Sequence, residues 1–78
     1  MIDLKDHIQI DPRICHGRPT IRGTRLPVAV VLGSLAGGMS FQDVQRECGI
    51  ELDDIRAAIQ YANALVTRER HYPLVRNS

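Results

Sequence analysis

The chain has few of the groups that catalysis requires, and those it has are scattered. Among its 78 residues Lys5 is the single lysine, and His7, His16 and His71 lie far apart in the sequence. It contains neither a Ser-His-Asp spacing nor a glycine-rich phosphate loop with its lysine. General acid–base chemistry needs convergent groups in a pocket, which a chain of this length hardly encloses alone. The sequence therefore argues against an enzyme, and we expect no cofactor.

Cysteine and long apolar runs are also sparse. Cys15 and Cys48 lack Cys-x-x-Cys spacing, and no apolar secretory segment precedes them, so we expect reduced thiols in the cytoplasm. Cys15 and His16 are both metal-ligand types, but adjacent ligands without a second pair rarely complete a site, so we expect no metal. The longest apolar run, residues 26–38, is shorter than the roughly 20 residues of a membrane helix. We therefore expect no membrane role.

Length and charge both favour a binding partner. Seventy-eight residues form one domain of a size at which a single apolar core gives marginal stability, and association often adds to it. The net charge is only +1, but residues 13–25 contain four arginines and no acid, whereas residues 43–54 contain five acids and one arginine. This separation suits a partner with complementary patches, although two solvated faces also explain it.

The most distinctive stretch is residues 17–28, which contains two glycines, two prolines, three arginines and no acid. Glycine permits backbone angles closed to other residues and proline fixes φ, so this composition predicts a folded turn. Residues 20–22 and 24–26 alternate around Gly23, which predicts two short extended pieces meeting at a tight bend. Residues 7–10 also alternate and predict another short strand, ended by the following proline.

Apolar periodicity predicts three helices after this arm. The first begins near Pro27, whose missing N–H suits a helix start, and ends at residues 37–38. The second begins with a capping box at residues 40–43 and ends at Gly49, and the third covers about residues 52–70. The second helix is expected to bury Phe41, Val44 and Cys48. Apolar residues recur at helical spacing at Val28, Val31, Leu32, Leu35 and Ala36 in the first helix, and Ile55, Ala58, Ile59, Ala62, Leu65 and Val66 form a near-continuous apolar stripe in the third.

The second and third helices, joined at Gly49, have the outline of a helix-turn-helix, although any compact three-helix packing needs the same periodicity. We predict a mainly α fold: a three-helix helix-turn-helix core, winged or homeodomain-like, with a short N-terminal β arm or hairpin. In this prediction residues 1–78 are a single domain, with the arm at 1–26, the core at 27–70 and a tail at 71–78.

The predicted recognition helix is poorly charged for DNA. Its outer face would present Glu51, Asp53, Arg56, Ala57 and Gln60, and carboxylates repel phosphates. Arginines of the arm offer another route, because N-terminal arms contact phosphates or enter the minor groove in some helix-turn-helix proteins. Their alternative role is pairing with the acidic stretch of the same chain or of a second copy. The residues predicted to bind DNA are Arg18, Arg22, Arg25, Arg56 and Gln60.

Besides the predicted DNA-binding residues, the third helix also suggests a function. At 1.5 Å per residue it spans roughly 28 Å, more than two short helices cover. Part of its apolar stripe would stay bare, which usually marks an interface, unless the arm folds back over it. A homodimer, a partner's groove, or both in turn would satisfy the stripe. The predicted interface residues are Ala62, Leu65, Val66, Tyr72 and Leu74.

Several segments together also resemble a known family. They are Ile10-Asp11-Pro12, Gly17-Arg18-Pro19, the run from Ile21 to Val28, Leu32 to Ser40, Asp43 to Cys48, Asp53-Asp54-Ile55, Ala58 and Tyr61-Ala62. With this order, residues 8–65 resemble the domain-of-unknown-function 433 family. Members of that family resemble small helix-turn-helix proteins, and many are regarded as VapB-type antitoxins paired with a PIN-like ribonuclease toxin.

The resemblance implies an antitoxin-like homodimer that neutralises a PIN-like toxin encoded nearby and binds its own promoter DNA. The third helix and tail would occupy the toxin's groove, with the acidic stretch opposite a basic nuclease surface. The alternative is a homodimeric protein–protein adaptor module that does not bind DNA. The salt dependence of binding distinguishes the two hypotheses, because specific DNA binding weakens steeply as the salt concentration rises, whereas the contacts of an adaptor need not weaken.

Overall fold

A computed structural model describes residues 3–68 of the chain. Two short strands precede three helices, so the predicted mainly helical fold with an N-terminal β arm is confirmed. The predicted end of the third helix, the tail at 71–78 and the interface residues Tyr72 and Leu74 lie outside the described residues. The elements are β1 (Ile8–Gln9), β2 (Thr20–Ile21), α1 (Val28–Ala36), α2 (Phe41–Cys48) and α3 (Leu52–Arg68), with 3-10 turns at Leu4–Asp6 and Cys15–Gly17.

The arm is a small antiparallel structure. Strands β1 and β2 pair with Ile8 opposite Ile21, as the alternation of residues 7–10 predicts. The predicted bend is also present, because Gly23 has a φ of +83° and the chain returns to bridge Thr20 with Pro27. The returning limb of the arm, residues 24–27, forms this bridge rather than a full strand, because proline has no N–H with which to extend the ladder.

Helix α1 begins and ends as its sequence predicts. Pro27 precedes it in an extended conformation, and the N–H of Gly37 donates to the carbonyl of Gly33 at its end. Val28 and Val31 are buried in the core. The predicted start at proline and stop at glycine are therefore confirmed, because each depends on the backbone of one residue.

Helix α2 has the predicted caps but a narrower buried face. The Ser40 hydroxyl accepts a hydrogen bond from the N–H of Asp43 at 3.0 Å, and Gly49 ends the helix with a φ of +68°. Val44 is fully buried, whereas Phe41 remains 43% exposed. The prediction that Phe41 is buried was wrong, because it is the first residue of α2 and lies at the edge of the core.

Helix α3 forms the centre of the molecule and contacts α1, α2, β1 and the first 3-10 turn. This crowding buries Ile55, Ala57 and Ala58 completely, whereas Ile59 is partly exposed. The predictions for Ile55 and Ala58 are confirmed. The prediction that Ala57 lies on a DNA-facing surface was wrong, since α3 packs against the arm as well as against two helices.

The core is a single cluster that joins arm and helices. Each strand and each helix contributes at least one buried side chain, so the arm is an integral part of the fold. No helix between residues 3 and 68 combines the length and apolar character needed to cross a membrane. The buried apolar residues are Ile8, Ile21, Val28, Val31, Val44, Ile50, Ile55, Ala57 and Ala58.

The turn after α2 gives a test of the fold. Gly49→Ala should lower the free energy of unfolding by roughly 1–2 kcal/mol, because a Cβ is disfavoured in the left-handed conformation. Gly33→Ala is the matched control: Gly33 is inside α1, and an added Cβ would meet no atom within 4 Å beyond its chain neighbours and the backbone of its own helix. This change should raise the free energy of unfolding by about 0.5–1 kcal/mol. Urea unfolding measures both, and effects of the same sign would contradict the described turn.

Candidate functional site

The arm is tethered through Arg22, one of the residues predicted to bind DNA. Its Nε donates to the carbonyl of Lys5 at 2.8 Å and its Nη2 to that of Ile8 at 3.3 Å. Its backbone N–H donates to the carbonyl of His7 at 2.7 Å. Guanidinium donors used in this way hold the N-terminal segment against β2, so Arg22 has a structural role that sequence reasoning missed.

A second tether connects the arm to α3. The Nδ1 of His7 lies 2.9 Å from Oδ1 of Asp54, and the other carboxylate oxygen of Asp54 accepts the N–H of Glu51 at 3.0 Å. Asp54 therefore caps the start of α3 and fixes the arm at the same time. Within residues 3–68 neither a hydroxyl nor a thiol hydrogen-bonds to His7, so this pair does not form the nucleophile–base arrangement of a hydrolase.

The loop between the strands has an unusual backbone. Cys15 and His16 have φ values of +51° and +57°, which side chains other than glycine rarely adopt. The Sγ of Cys15 lies 3.4 Å from the carbonyl oxygen of Arg25, so this thiol reaches the returning limb of the arm. Across residues 3–68 no three His, Cys, Asp or Glu side chains cluster in a way that could hold a metal ion.

One charge pair in this loop is internal. The side chain of Arg13 donates two hydrogen bonds to Asp11, each at 3.1 Å, and its backbone N–H donates a third at 2.9 Å. These bonds, the side-chain ones first, hold the pKa of Asp11 below its usual value. Arg13 is therefore paired within the loop, whereas Arg18, Arg22 and Arg25 have no carboxylate partner within residues 3–68.

The remaining residues of the predicted DNA-binding set are exposed. Arg18 and Arg25 lie on the arm, and within residues 3–68 no carboxylate oxygen is within 4.0 Å of either guanidinium. Arg56 and Gln60 lie on the outer side of α3. Arg56 is 60% exposed and makes only a long contact, 3.9 Å, with Asp53.

An apolar groove lies between the arm, α1 and α3. Its volume is about 340 Å³, and among residues 3–68 Arg18 is the one charged residue on its wall. Of the predicted interface residues, Ala62 and Leu65 line it, whereas Val66 is outside the lining and 69% exposed. The structure thus brings one predicted DNA-binding residue beside two predicted interface residues. The lining residues are Arg18, Pro19, Pro27, Val28, Ala29, Leu32, Tyr61, Ala62 and Leu65.

A smaller depression of about 290 Å³ lies among the first 3-10 turn, β1, Arg22 and Tyr61. Tyr61 lines both the groove and this depression. Sequence reasoning missed Tyr61, the two prolines and Ala29 as site residues, because the groove is assembled from three separate segments. The proximity of the two prolines in the sequence was the one available signal. The residues around the smaller depression are Leu4, Lys5, Ile8, Gln9, Ile10, Arg22 and Tyr61.

Comparison with known proteins identifies a family and a relative with similar sequence. A family model described as a protein of unknown function, DUF433, matches residues 8–62. A Mycobacterium tuberculosis H37Rv protein that bears the name putative antitoxin VapB45 is 38% identical over 53 residues, covering 68% of this chain and 22% of that protein. The chain therefore spans less than a quarter of this relative's length.

Two solved structures are similar to the chain. The crystal structure of Rv2018 from Mycobacterium tuberculosis shares 38% identity with a TM-score of 0.61, over 67% of this chain and 24% of that one. A crystal structure of a DUF433 member from Anabaena variabilis shares 30% identity with a TM-score of 0.71, over 85% of this chain and 69% of that one. The second match extends over most of both chains.

Two of the three arm arginines predicted to bind DNA, Arg22 and Arg25, differ in their contacts, and this gives a test. Arg22→Ala should lower the free energy of unfolding by about 0.5–1.5 kcal/mol, because hydrogen bonds to two backbone carbonyls are lost. Arg25→Ala removes the same charge from an exposed side chain and should change stability by less than about 0.5 kcal/mol. Urea unfolding of both variants decides the point, and equal stabilities would mean that the Arg22 tether contributes nothing.

Proposed function

Because the chain belongs to the DUF433 family of proteins of unknown function, we propose that it is an antitoxin-like protein that neutralises a PIN-like ribonuclease toxin encoded beside it. One observation carries this proposal: the relative named putative antitoxin VapB45 is 38% identical over a segment that covers 68% of the chain. The proposed action is stoichiometric binding without catalysis, and it takes place in the cytoplasm, where the toxin meets its RNA.

The apolar side of α3 supports a protein partner. Leu65 is 44% exposed and Val66 69% exposed, and both follow the part of α3 that packs in the core. Exposed apolar side chains grouped on one helix are typical of a protein interface. In the proposal this segment contacts the toxin, or a second copy of the chain before the toxin binds.

Promoter binding is the second part of the proposed function. Arg18, Arg25 and Arg56 are exposed cations, and Gln60 lies one turn after Arg56 on α3. Phosphate contacts supply most of the affinity of such proteins for DNA, and these side chains are suited to make them. The helix-turn-helix action of α2 and α3 is part of this proposal.

A homodimeric adaptor without DNA affinity is the alternative. The acidic first turn of α3, with Asp53 and Asp54, favours it, because a recognition helix usually directs its N-terminal residues to the bases. The same exposed side chains of α3 would then form a permanent contact between two copies.

Co-expression tests the antitoxin proposal. The neighbouring protein alone should arrest growth, and this chain should relieve the arrest and co-purify with it. Leu65→Asp should weaken the complex by about tenfold or more, because a carboxylate would enter an apolar contact. Ala64→Asp is the control, since Ala64 is exposed one residue away and does not line the groove. If the wild-type chain neither relieves the arrest nor co-purifies, the antitoxin proposal is wrong.

Titration of promoter DNA at several salt concentrations tests the second part. Specific binding should weaken steeply with salt, and Arg25→Ala should lower the slope by about one, the value for one phosphate contact. Arg46→Ala is the control, because Arg46 pairs with Asp43 on α2 and is not in the predicted set. A chain that shows neither sequence-specific nor salt-dependent affinity for the promoter would instead favour the adaptor.

A further inference from the structure

Arg18 differs from the other exposed arginines in its surroundings. It stands on the wall of the 340 Å³ groove, and every other lining residue is apolar or a tyrosine. Within residues 3–68 its guanidinium has neither a carboxylate within 4.0 Å nor a hydrogen bond to another side chain. A free cation at the border of an apolar wall matches an apolar side chain with a carboxylate next to it.

The size of the groove limits what it can receive. Cavities for small molecules range over about 300–1,000 Å³, so this groove is at the lower end of that range. It has room for a few side chains of a partner. A DNA backbone would place phosphates and sugars against prolines and leucines, which offer no hydrogen bonds to them. Arg18 is therefore better placed for a protein than for DNA.

A second copy of this chain fits less well. Three carboxylates of its acidic stretch already have internal partners: Asp43 pairs with Arg46, Asp53 contacts Arg56, and Asp54 pairs with His7. Glu47 and Glu51 have no such pairing, but neither is next in sequence to an exposed large apolar side chain of the described residues, so neither offers the apolar group with an adjacent carboxylate that suits this groove. Charge complementarity therefore favours a different protein that carries its own carboxylate.

We propose that this groove binds an amphipathic segment of the toxin, in which an apolar side chain packs between α1 and α3 and an adjacent carboxylate pairs with Arg18. The inference rests on the proposed function and moves Arg18 from the DNA-binding set to the toxin contact. Ala29, which is exposed and lines the groove from α1, borders the space that the apolar side chain fills.

Four variants of the full chain, each co-expressed with the toxin, test the proposal. Arg18→Glu reverses the charge at the groove, and Ala29→Phe fills the groove from its exposed side. Each should weaken toxin binding by about tenfold or more, as the loss of a central interface contact does. Arg25→Glu and Ala36→Phe are matched controls, because both positions are exposed and neither lines the groove. The controls should bind within about threefold of wild type, since peripheral changes cost little.

The outcomes separate the two claims. If the wild-type chain does not bind the toxin, the proposed function fails and this inference fails with it. If wild type binds and all four variants bind equally well, only the groove assignment is wrong. Circular dichroism checks that each variant is folded, and Arg18→Gln, which removes the charge without reversing it, replaces Arg18→Glu if that variant is not.

Two further measurements test whether a second copy of the chain or DNA, rather than the toxin, contacts the groove. If sedimentation shows that Arg18→Glu or Ala29→Phe breaks a homodimer while toxin binding stays intact, the occupant is a second copy and the proposal is wrong. Promoter affinity should change by less than about threefold in Arg18→Gln, because one lost phosphate contact would exceed this. A larger loss of promoter affinity with unchanged toxin binding would return Arg18 to the DNA-binding set.

Discussion

The placement of the arm against α3 is the constraint on which the candidate site depends. His7 reaches Asp54 at the start of α3, and Arg22 binds the carbonyls on either side of His7. The paired strands also bury one isoleucine each, and such burial contributes about 1.5–3 kcal/mol per side chain. Without this placement Arg18 would have no apolar wall beside it. The groove is thus a product of the arm's position, not of any helix alone.

The parts of the fold set by local chemistry could be predicted from the sequence. Ser40 caps the backbone three residues ahead, Gly49 adopts a left-handed conformation, and Pro27 fixes φ at the entry to α1. Each of these effects acts within one turn of chain, so neighbouring residues are enough to reveal it. The 3.6-residue periodicity located all three helices for the same reason, because one face of each meets the core.

The parts that depend on distant contacts could not be predicted in this way. Ala57 is buried because β1 and the first 3-10 turn pack on α3 in addition to α1 and α2. The periodicity of one helix does not show that the arm also contacts it. Arg22 looked like a free cation, but its acceptors are main-chain carbonyls 14 and 17 residues earlier, which any sequence supplies. The groove combines residues from the arm, α1 and α3, so the position of Arg18 beside an apolar wall follows from packing and not from its own motif.

The apolar surface of α3 connects folding with partner binding. Nine apolar side chains form the buried core of the described residues, three of them on α3, whereas Leu65 and Val66 on α3 are exposed. A partner that covers them adds apolar burial to the folded state alone, and a ligand that binds only the folded state stabilises it by mass action. An antitoxin-like protein of this kind is therefore more stable in the complex than free. Proteolysis acts on unfolded molecules, so under the proposed function the free chain is degraded faster than the bound one, and the supply of toxin determines how long the chain persists.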